Sequence, residues 1–159
     1  MVKINVNKNQ ITDPSYRYKM SEILLKYEGQ GNGQKTLLLN INEIAKELNR
    51  DQDIILSYLV AVIGCKCITT KENQIVLCGT HTKDTIQNYI YDFISSFVLC
   101  QHCKNPETYY VIEGNVGVCM KCNACPLISQ ITLNKVNIKI IKQILQNIKK
   151  TQKKTDSFE

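Results

Sequence analysis

Four of the eight cysteines form two C-x-x-C pairs, Cys100 with Cys103 and Cys119 with Cys122, and fifteen residues separate the pairs. Two thiolates three residues apart on a tight turn can converge on one ion, and two such turns complete a tetrahedron, as in a zinc ribbon. The spacing therefore predicts one structural Zn²⁺ site made of four sulfurs. Because such a closed site leaves no position for water, we expect the ion to fold the segment rather than to catalyse hydrolysis.

A third C-x-x-C, formed by Cys122 and Cys125, makes the second pair ambiguous. The residue after the second cysteine of a knuckle commonly takes a left-handed backbone conformation. Asn123 tolerates this conformation, whereas Pro126, with φ held near about −65°, cannot adopt it. We therefore expect Cys119 and Cys122 to be the ligands and Cys125 to lie outside the site, while replacement of Cys119 by Cys125 stays open.

Other catalytic patterns are absent from the sequence. It contains no G-x-x-x-x-G-K-[ST] loop, no H-E-x-x-H and no G-x-S-x-G, and His81 and His102 are the only histidines. We therefore expect no intrinsic catalysis. The start of the chain shows no signal-peptide pattern, and the longest near-apolar run, residues 54–63, is too short to span a bilayer. The sequence thus favours a soluble cytoplasmic protein with reduced thiols and no membrane contact.

The net charge of +6 is concentrated near the end of the chain. Residues 133–159 hold seven lysines against two acidic residues, which leaves the remainder nearly neutral. This segment suits contact with a polyanion, although a solvated lysine-rich end would have the same composition.

The elements that must position these residues predict an α+β fold. Residues 1–15 are polar, rich in asparagine and without periodicity, so we interpret them as a flexible arm. Residues 16–97 are interpreted as the core domain, in which a strand at 36–40 precedes two helices. The first helix starts at an Asn40/Glu43 capping box, and the second is capped by Asp51, runs through Ile63 and is closed by Gly64.

A very short turn joins these two helices in a helix-turn-helix-like pair. A β-hairpin over 65–79 and an amphipathic helix from Thr82 complete the core domain, and Cys65, Cys67 and Cys78 on the hairpin are expected to be small buried apolar residues. The zinc ribbon is predicted over 98–131. An amphipathic basic helix over 132–150 and a frayed basic tail over 151–159 follow it.

Specific sequence segments carry a family resemblance over residues 4–145. They are YRYKM at 16–20, EGQGNGQKT at 28–36, AKELNR at 45–50 and FVLCQHCKNPET at 97–108. With these segments the chain resembles the N-terminal domain of eukaryotic translation initiation factor five. The β subunit of initiation factor two is a close relative that shares the α+β core and the ribbon. The family continues through a linker into a C-terminal helical-repeat domain, and this sequence ends at Glu159.

The resemblance implies a GTPase-activating role. The expected partners are the GTP-bound γ subunit of initiation factor two, initiator tRNA, and the small ribosomal subunit with its rRNA, and we expect the chain to act as a monomer. Arg17 matches the family's arginine finger, and a guanidinium is a permanent multi-donor charge suited to a transferring phosphoryl group. Lys35 matches a second functional lysine that contacts phosphate or rRNA. A third family lysine falls on Ser57 here, which puts full activating strength in doubt.

Two alternatives remain open. The chain can be a ribosome-binding zinc module that stabilises initiator tRNA or occupies the decoding region without stimulating hydrolysis, with Lys139, Lys142, Lys149 and Lys150 contacting rRNA. It can also be a short β subunit of initiation factor two, although the YRYKM segment argues against this assignment.

Overall fold

The computed structural model describes residues 2–114 and 117–156. The chain divides into two compact units, residues 1–95 and 96–159. Among the described helices, none combines the length and the apolar character needed to cross a membrane.

The N-terminal residues are more regular than the sequence predicts. Strand β1 (Lys3–Asn5) pairs antiparallel with strand β2 (Lys19–Ser21), and a 3-10 turn occupies Lys8–Gln10 between them. Three consecutive residues, Asn5, Val6 and Asn7, are buried. The expectation of an irregular arm over residues 1–15 is therefore wrong for residues 3–10. The asparagine-rich composition suggested disorder, but the asparagine side chains act as internal hydrogen-bond partners in the folded loop.

A four-stranded antiparallel sheet forms the middle of the first unit. Its strands are β3 (Leu25–Glu28), β4 (Lys35–Leu38), β5 (Cys67–Thr69) and β6 (Ile75–Cys78), in the order β3-β4-β6-β5. The predicted central strand and hairpin are thus present. Strand β3 escaped sequence analysis because it lies at the sheet edge with no buried residue, so it lacks the apolar alternation that marks a half-buried strand.

Three helices complete this unit: α1 (Ile41–Glu47), α2 (Gln52–Ile63) and α3 (Lys83–Phe97), whose end extends past residue 95. Asp51 caps α2 by accepting a hydrogen bond from the Asp53 amide, as predicted. The predicted capping box at α1 does not form. The Asn40 carboxamide instead accepts from the Leu24 amide and donates to the Glu22 carbonyl, which ties the chain before β3 to the start of α1.

The core of the first unit lies between these helices and the sheet. Tyr58 of α2 and Phe93 of α3 meet edge to face, with ring centroids 5.5 Å apart. Buried aliphatic side chains come from every helix of the unit and from the sheet: Leu37, Ile41, Ile44, Ile55, Leu59, Leu77, Ile86, Ile90 and Ile94.

The second unit is a three-stranded ribbon followed by one long helix. Strands β7 (Thr108–Glu113), β8 (Gly117–Cys122) and β9 (Ile128–Gln130) form an antiparallel sheet with β8 in the centre. Helix α4 (Lys135–Asp156) packs on β8, and Asn134 caps its first turn. The helix continues through residues 151–156, so the predicted fraying of this part is wrong, and residues 157–159 lie outside the described part. The predicted fold class is confirmed: an α+β core with a helix pair, a four-cysteine ribbon and a terminal amphipathic helix.

Candidate functional site

Four sulfurs converge at one end of the ribbon. The Sγ atoms of Cys100, Cys103, Cys122 and Cys125 all lie within 4.8 Å of one another. The Cys100–Cys125 and Cys103–Cys122 sulfur pairs are 3.6 and 3.5 Å apart. A tetrahedral site with Zn–S bonds of about 2.3 Å requires sulfurs about 3.8 Å apart. The donor set and its spacing therefore fit a single tetrahedral metal ion.

The cluster corrects the choice between Cys119 and Cys125. Cys119 lies within β8, where it pairs with Val111 and is buried, and Cys122 ends the same strand. Side chains alternate along a strand, so residues three positions apart point to opposite faces and cannot hold one ion. The chain bends after Cys122, and the bend brings Cys125 to the sulfurs of the first pair. The clustered cysteines therefore have the spacing C-x₂-C-x₁₈-C-x₂-C.

A left-handed residue, the reason for expecting Cys119 as a ligand, follows the second cysteine at only one of the two knuckles. Lys104, which follows Cys103, has a positive φ of 60°. Neither Asn123 nor Pro126 is among the described residues with positive φ. The second knuckle therefore turns without a left-handed residue after its last cysteine, and Pro126 is compatible with it.

Hydrogen bonds around the sulfurs set their protonation. Burial opposes ionisation of Cys100, but the backbone N–H of Cys103, the Ser129 hydroxyl and the backbone N–H of His102 outweigh it and lower the pKa of this thiol to about 6. Burial raises the pKa of Cys122 to about 12, and its contact with Cys103 acts in the same direction. A metal ion bound among these sulfurs would hold all four as thiolates.

Ser129 of β9 supports the sulfur cluster and was not predicted from the sequence. Its hydroxyl accepts from the Gln101 amide at 3.0 Å and donates to the Cys100 sulfur at 3.5 Å, and the side chain is buried. Such contacts orient a ligand for its metal. No local pattern marks this serine, because only strand pairing brings β9 to the first knuckle. His102, which lies between the first two clustered cysteines, is exposed, and its ring nitrogen is 3.2 Å from the Ile128 carbonyl.

Arg17 is exposed on the loop between β1 and β2. Its guanidinium lies 5.7 Å from the centre of the Tyr18 ring, a cation–π distance, and Tyr16 meets Tyr18 edge to face at 5.9 Å. Within the described residues, Arg17 forms no salt bridge. The loop therefore displays a permanent positive charge that no carboxylate of the described chain neutralises.

Lys35 begins β4 and is also exposed. It pairs across strands with Glu28, whose carboxylate is 3.6 Å from Lys26 instead. The preceding glycine loop makes a tight turn at Gly29, where φ is 88° and an added Cβ would lie 2.2 Å from the Gly33 carbonyl oxygen. Ser57, at the position of the third family lysine, is half-buried in α2.

Lysines form one stripe along α4. At about 100° per residue, six exposed lysines fall within an arc of about 100° and extend along about 27 Å of helix. Helix α4 contains one acidic residue, Asp156, and no described lysine of the stripe forms an ion pair. We call these residues the α4 lysine stripe: Lys135, Lys139, Lys142, Lys149, Lys150 and Lys153.

The three cysteines of the hairpin are not members of the sulfur cluster. Cys65, Cys67 and Cys78 are half-buried free thiols, so the expectation that they are buried is wrong. Cys67 begins β5 and Cys78 ends β6, whereas Cys65 precedes β5. Desolvation raises the pKa of Cys65 and of Cys67, which keeps both thiols protonated at neutral pH.

Known proteins of one family are similar in sequence to this chain. A family model for a domain found in initiation factor 2B and initiation factor 5 matches residues 8–127. The protein named eukaryotic translation initiation factor 5 in Drosophila melanogaster is 36% identical over 145 residues, which cover 89% of this chain and 31% of that protein. Its namesake in Saccharomyces cerevisiae is 40% identical over 114 residues, covering 71% of this chain and 28% of that protein.

A third relative of the same name, from Dictyostelium discoideum, is 35% identical and covers 84% of this chain and 33% of its own length. The chain thus spans about a third of the length of the curated relatives it matches. The matched range contains the Arg17 loop, the glycine loop and all four clustered cysteines. This chain therefore belongs to the family that shares the domain found in initiation factors 2B and 5.

Proposed function

We propose that the chain acts in translation initiation as a GTPase activator of the γ subunit of initiation factor two, with Arg17 as the arginine finger. The observation that carries the proposal is the exposed guanidinium of Arg17, without a salt bridge to any described residue, in a chain of this family. An arginine supplied in trans must be free of internal ion pairs and must project from its own body, and Arg17 meets both requirements. In this proposal the chain performs no catalysis by itself.

The proposed chemistry is electrostatic. Charge spreads over the equatorial oxygens of the γ-phosphoryl group as it transfers to water, and a guanidinium placed there stabilises it. Arginine fingers contribute about 10³–10⁵ in rate, or about 4–7 kcal/mol. Lys35, exposed at the start of β4, is proposed to contact phosphate or rRNA in the same complex.

The test is single-turnover GTP hydrolysis by the complex of initiation factor two, GTP and initiator tRNA on small ribosomal subunits. We expect Arg17→Ala to lower the maximal rate at saturating chain by about 10³-fold or more. Arg17→Lys should recover only a small part, because an ammonium lacks the planar fork of donors. Lys8→Ala is the matched control, since Lys8 is an exposed cation on the same loop. Equal rates for Arg17→Ala and the natural chain would contradict the proposal.

A second candidate function, binding to rRNA without stimulating hydrolysis, is favoured by the α4 lysine stripe. Removing charge from Lys139, Lys142, Lys149 and Lys150 together should weaken binding to small subunits and reduce its salt dependence by up to about three to four units of log–log slope. Substituting four exposed polar residues off the stripe serves as control. Salt-dependent binding that is unchanged by the quadruple substitution would contradict this function.

For the sulfur cluster we propose one structural Zn²⁺. Its support is a set of four cysteine sulfurs at tetrahedral spacing, which is typical of closed zinc sites. The ion would hold the two knuckles together and supply no reaction step.

A further inference from the structure

We propose that Asn5 is a positioning residue, which holds the loop of residues 6–18 in the conformation that presents Arg17. The inference rests on the proposed function of Arg17 and adds a residue to it that makes no contact with the nucleotide. Asn5 ends β1, and only 4% of its surface is exposed.

The Asn5 carboxamide uses its hydrogen-bonding groups across the loop. Its Nδ2 donates to the carbonyl oxygens of Gln10 at 2.6 Å and of Asp13 at 2.7 Å. Its Oδ1 accepts from Lys19 Nζ at 2.7 Å. A carboxamide has two N–H donors, and both are used here. One side chain therefore joins points that lie five, eight and fourteen residues away in the sequence.

These contacts fall where the loop changes direction. Successive turns run from Asn7 through Asp13, with backbone bonds from the Gln10 amide to the Asn7 carbonyl and from the Asp13 amide to the Gln10 carbonyl. The two carbonyls held by Asn5 belong to the ends of these turns. The Asp13 carboxylate then accepts from the Ser15 amide and hydroxyl, immediately before the segment that carries Arg17.

The anchor is itself fixed to the body of the first unit. The Asn5 carbonyl accepts from the hydroxyl of Tyr91 on α3 at 3.2 Å, and the Val6 amide donates to the Tyr18 carbonyl at 3.0 Å, closing the loop at its base. At the other end of β1, Lys3 lies 2.8 Å from Glu47 of α1. Asn5 thus transmits the rigidity of the core to the loop.

Rigidity matters because a finger that is already in place loses little freedom on docking. Misplacing a catalytic group by about 1 Å can cost about 10²-fold in rate. We therefore expect loss of the Asn5 contacts to lower the maximal hydrolysis rate while leaving the affinity of the chain for its complex unchanged.

The sharpest variant is Asn5→Asp. It keeps the size of the side chain and the oxygen that faces Lys19, but it puts an oxygen against the Gln10 and Asp13 carbonyls, which repels both. Asn7→Asp is the matched control, because the Asn7 side chain is also buried in this loop and its oxygen accepts from the Asn9 amide, a contact that aspartate preserves.

The experiment compares the natural chain with Asn5→Asp, Arg17→Ala, the double variant and Asn7→Asp in the hydrolysis assay described above, titrating each chain. We expect Asn5→Asp to lower the maximal rate by about 10²-fold with an unchanged half-saturating concentration. The double variant should equal Arg17→Ala, because a displaced loop has no effect once the guanidinium is absent. Asn7→Asp should match the natural chain.

Each other result has a distinct meaning. A natural maximal rate for Asn5→Asp beside a slow Arg17→Ala would overturn the positioning role alone. A further loss in the double variant would also overturn it, since Asn5 would then act through another group. A natural rate for Arg17→Ala would overturn the proposed function, and the positioning role with it.

Amide hydrogen exchange of the chain alone gives a readout independent of hydrolysis. Asn5→Asp should speed exchange at Val6 and Asp13, whose amides donate within the loop, and leave the core helices protected. Natural protection at both amides would show that Asn5 does not hold the loop and would overturn the inference.

Discussion

The interiors of the two compact units of the chain differ in composition. Among the described residues, eleven large apolar side chains with at most 1% of their surface exposed lie in residues 1–95, against four in residues 96–159: Phe97, Met120, Ile140 and Ile144. The second unit also contains four sulfurs at metal-binding distance. Because hydrophobic burial scales with the area removed from water, the first unit can fold on its apolar core. In the proposed role of the sulfur cluster, the ribbon depends in addition on a bound metal ion.

The largest expected effect comes from removing one cluster sulfur. Cys125→Ser should abolish stoichiometric metal binding and unfold the ribbon, because a structural zinc ion contributes about 10–16 kcal/mol in comparable modules. Metal per chain, measured by elemental mass spectrometry, together with amide exchange over residues 98–131, checks this outcome.

Cys119→Ser is the control for that substitution, since this buried sulfur lies outside the cluster. It should retain one equivalent of metal and lose about 1–3 kcal/mol of stability, the cost of a buried hydroxyl. The reverse pattern, with metal lost from Cys119→Ser and kept by Cys125→Ser, would restore the ligand set first expected from the sequence.

The next effect belongs to the apolar core. Phe93→Ala should destabilise the first unit by about 3–5 kcal/mol, because it removes a fully buried ring that packs on Tyr58 and leaves a cavity. Urea denaturation measures the change, and Ile68→Ala, at an exposed position on β5, should stay within about 0.5 kcal/mol of the natural chain. Metal content should be unaffected, so loss of metal from Phe93→Ala would refute independent stabilisation of the two units.

Lowering the pH should reduce the metal affinity of the sulfur cluster more than the stability of the first unit. Burial raises the pKa of Cys122 to about 12 in the metal-free chain. At Cys125 the Leu127 amide lowers the pKa of the thiol, but desolvation and the contacts with Cys100 and Cys103 outweigh it and raise the pKa. Both thiols hold protons at pH 7 and must release them to bind metal, so affinity falls as pH falls. At least two protons released per ion correspond to a loss of at least about 100-fold in affinity per pH unit.

Competition titration with a chromophoric chelator between pH 6 and pH 8 measures this slope. Urea midpoints of the first unit over the same interval are the comparison and should change far less. An affinity that is independent of pH would mean that the thiols ionise before the metal arrives.

The smallest expected effect concerns the glycine loop of the first unit. Gly29→Ala should cost about 1–3 kcal/mol, because φ is 88° there and the new Cβ would meet the Gly33 carbonyl oxygen. Gly33→Ala is the control, since its φ is not positive and open space surrounds it. Thermal denaturation distinguishes the two, and equal melting temperatures would show that the loop can rearrange.

Local sequence signals predicted most of the helices but not the structure of the N-terminal loop. Helix α2 was predicted with both ends because Asp51 and Gly64 are terminal signals that act within a few residues. The capping box at Asn40 failed because a distant partner, the chain before β3, competes for the same carboxamide. The ordered loop that carries Arg17 was not predicted for the same reason, because Asn5 makes its contacts five to fourteen residues away.

At the sulfur cluster, the sequence determines one part of the site and the tertiary structure determines the other. Residue types and spacing alone determined that a four-sulfur site exists, because two cysteines three residues apart are placed on one turn by local backbone geometry. They also determined the α4 lysine stripe, because its helical period is local. Only the folded ribbon decided between Cys119 and Cys125, since the choice depends on where strand β8 ends and its side-chain alternation stops. The position at which a strand ends is decided by pairing with its neighbours, and no short stretch of sequence contains that information.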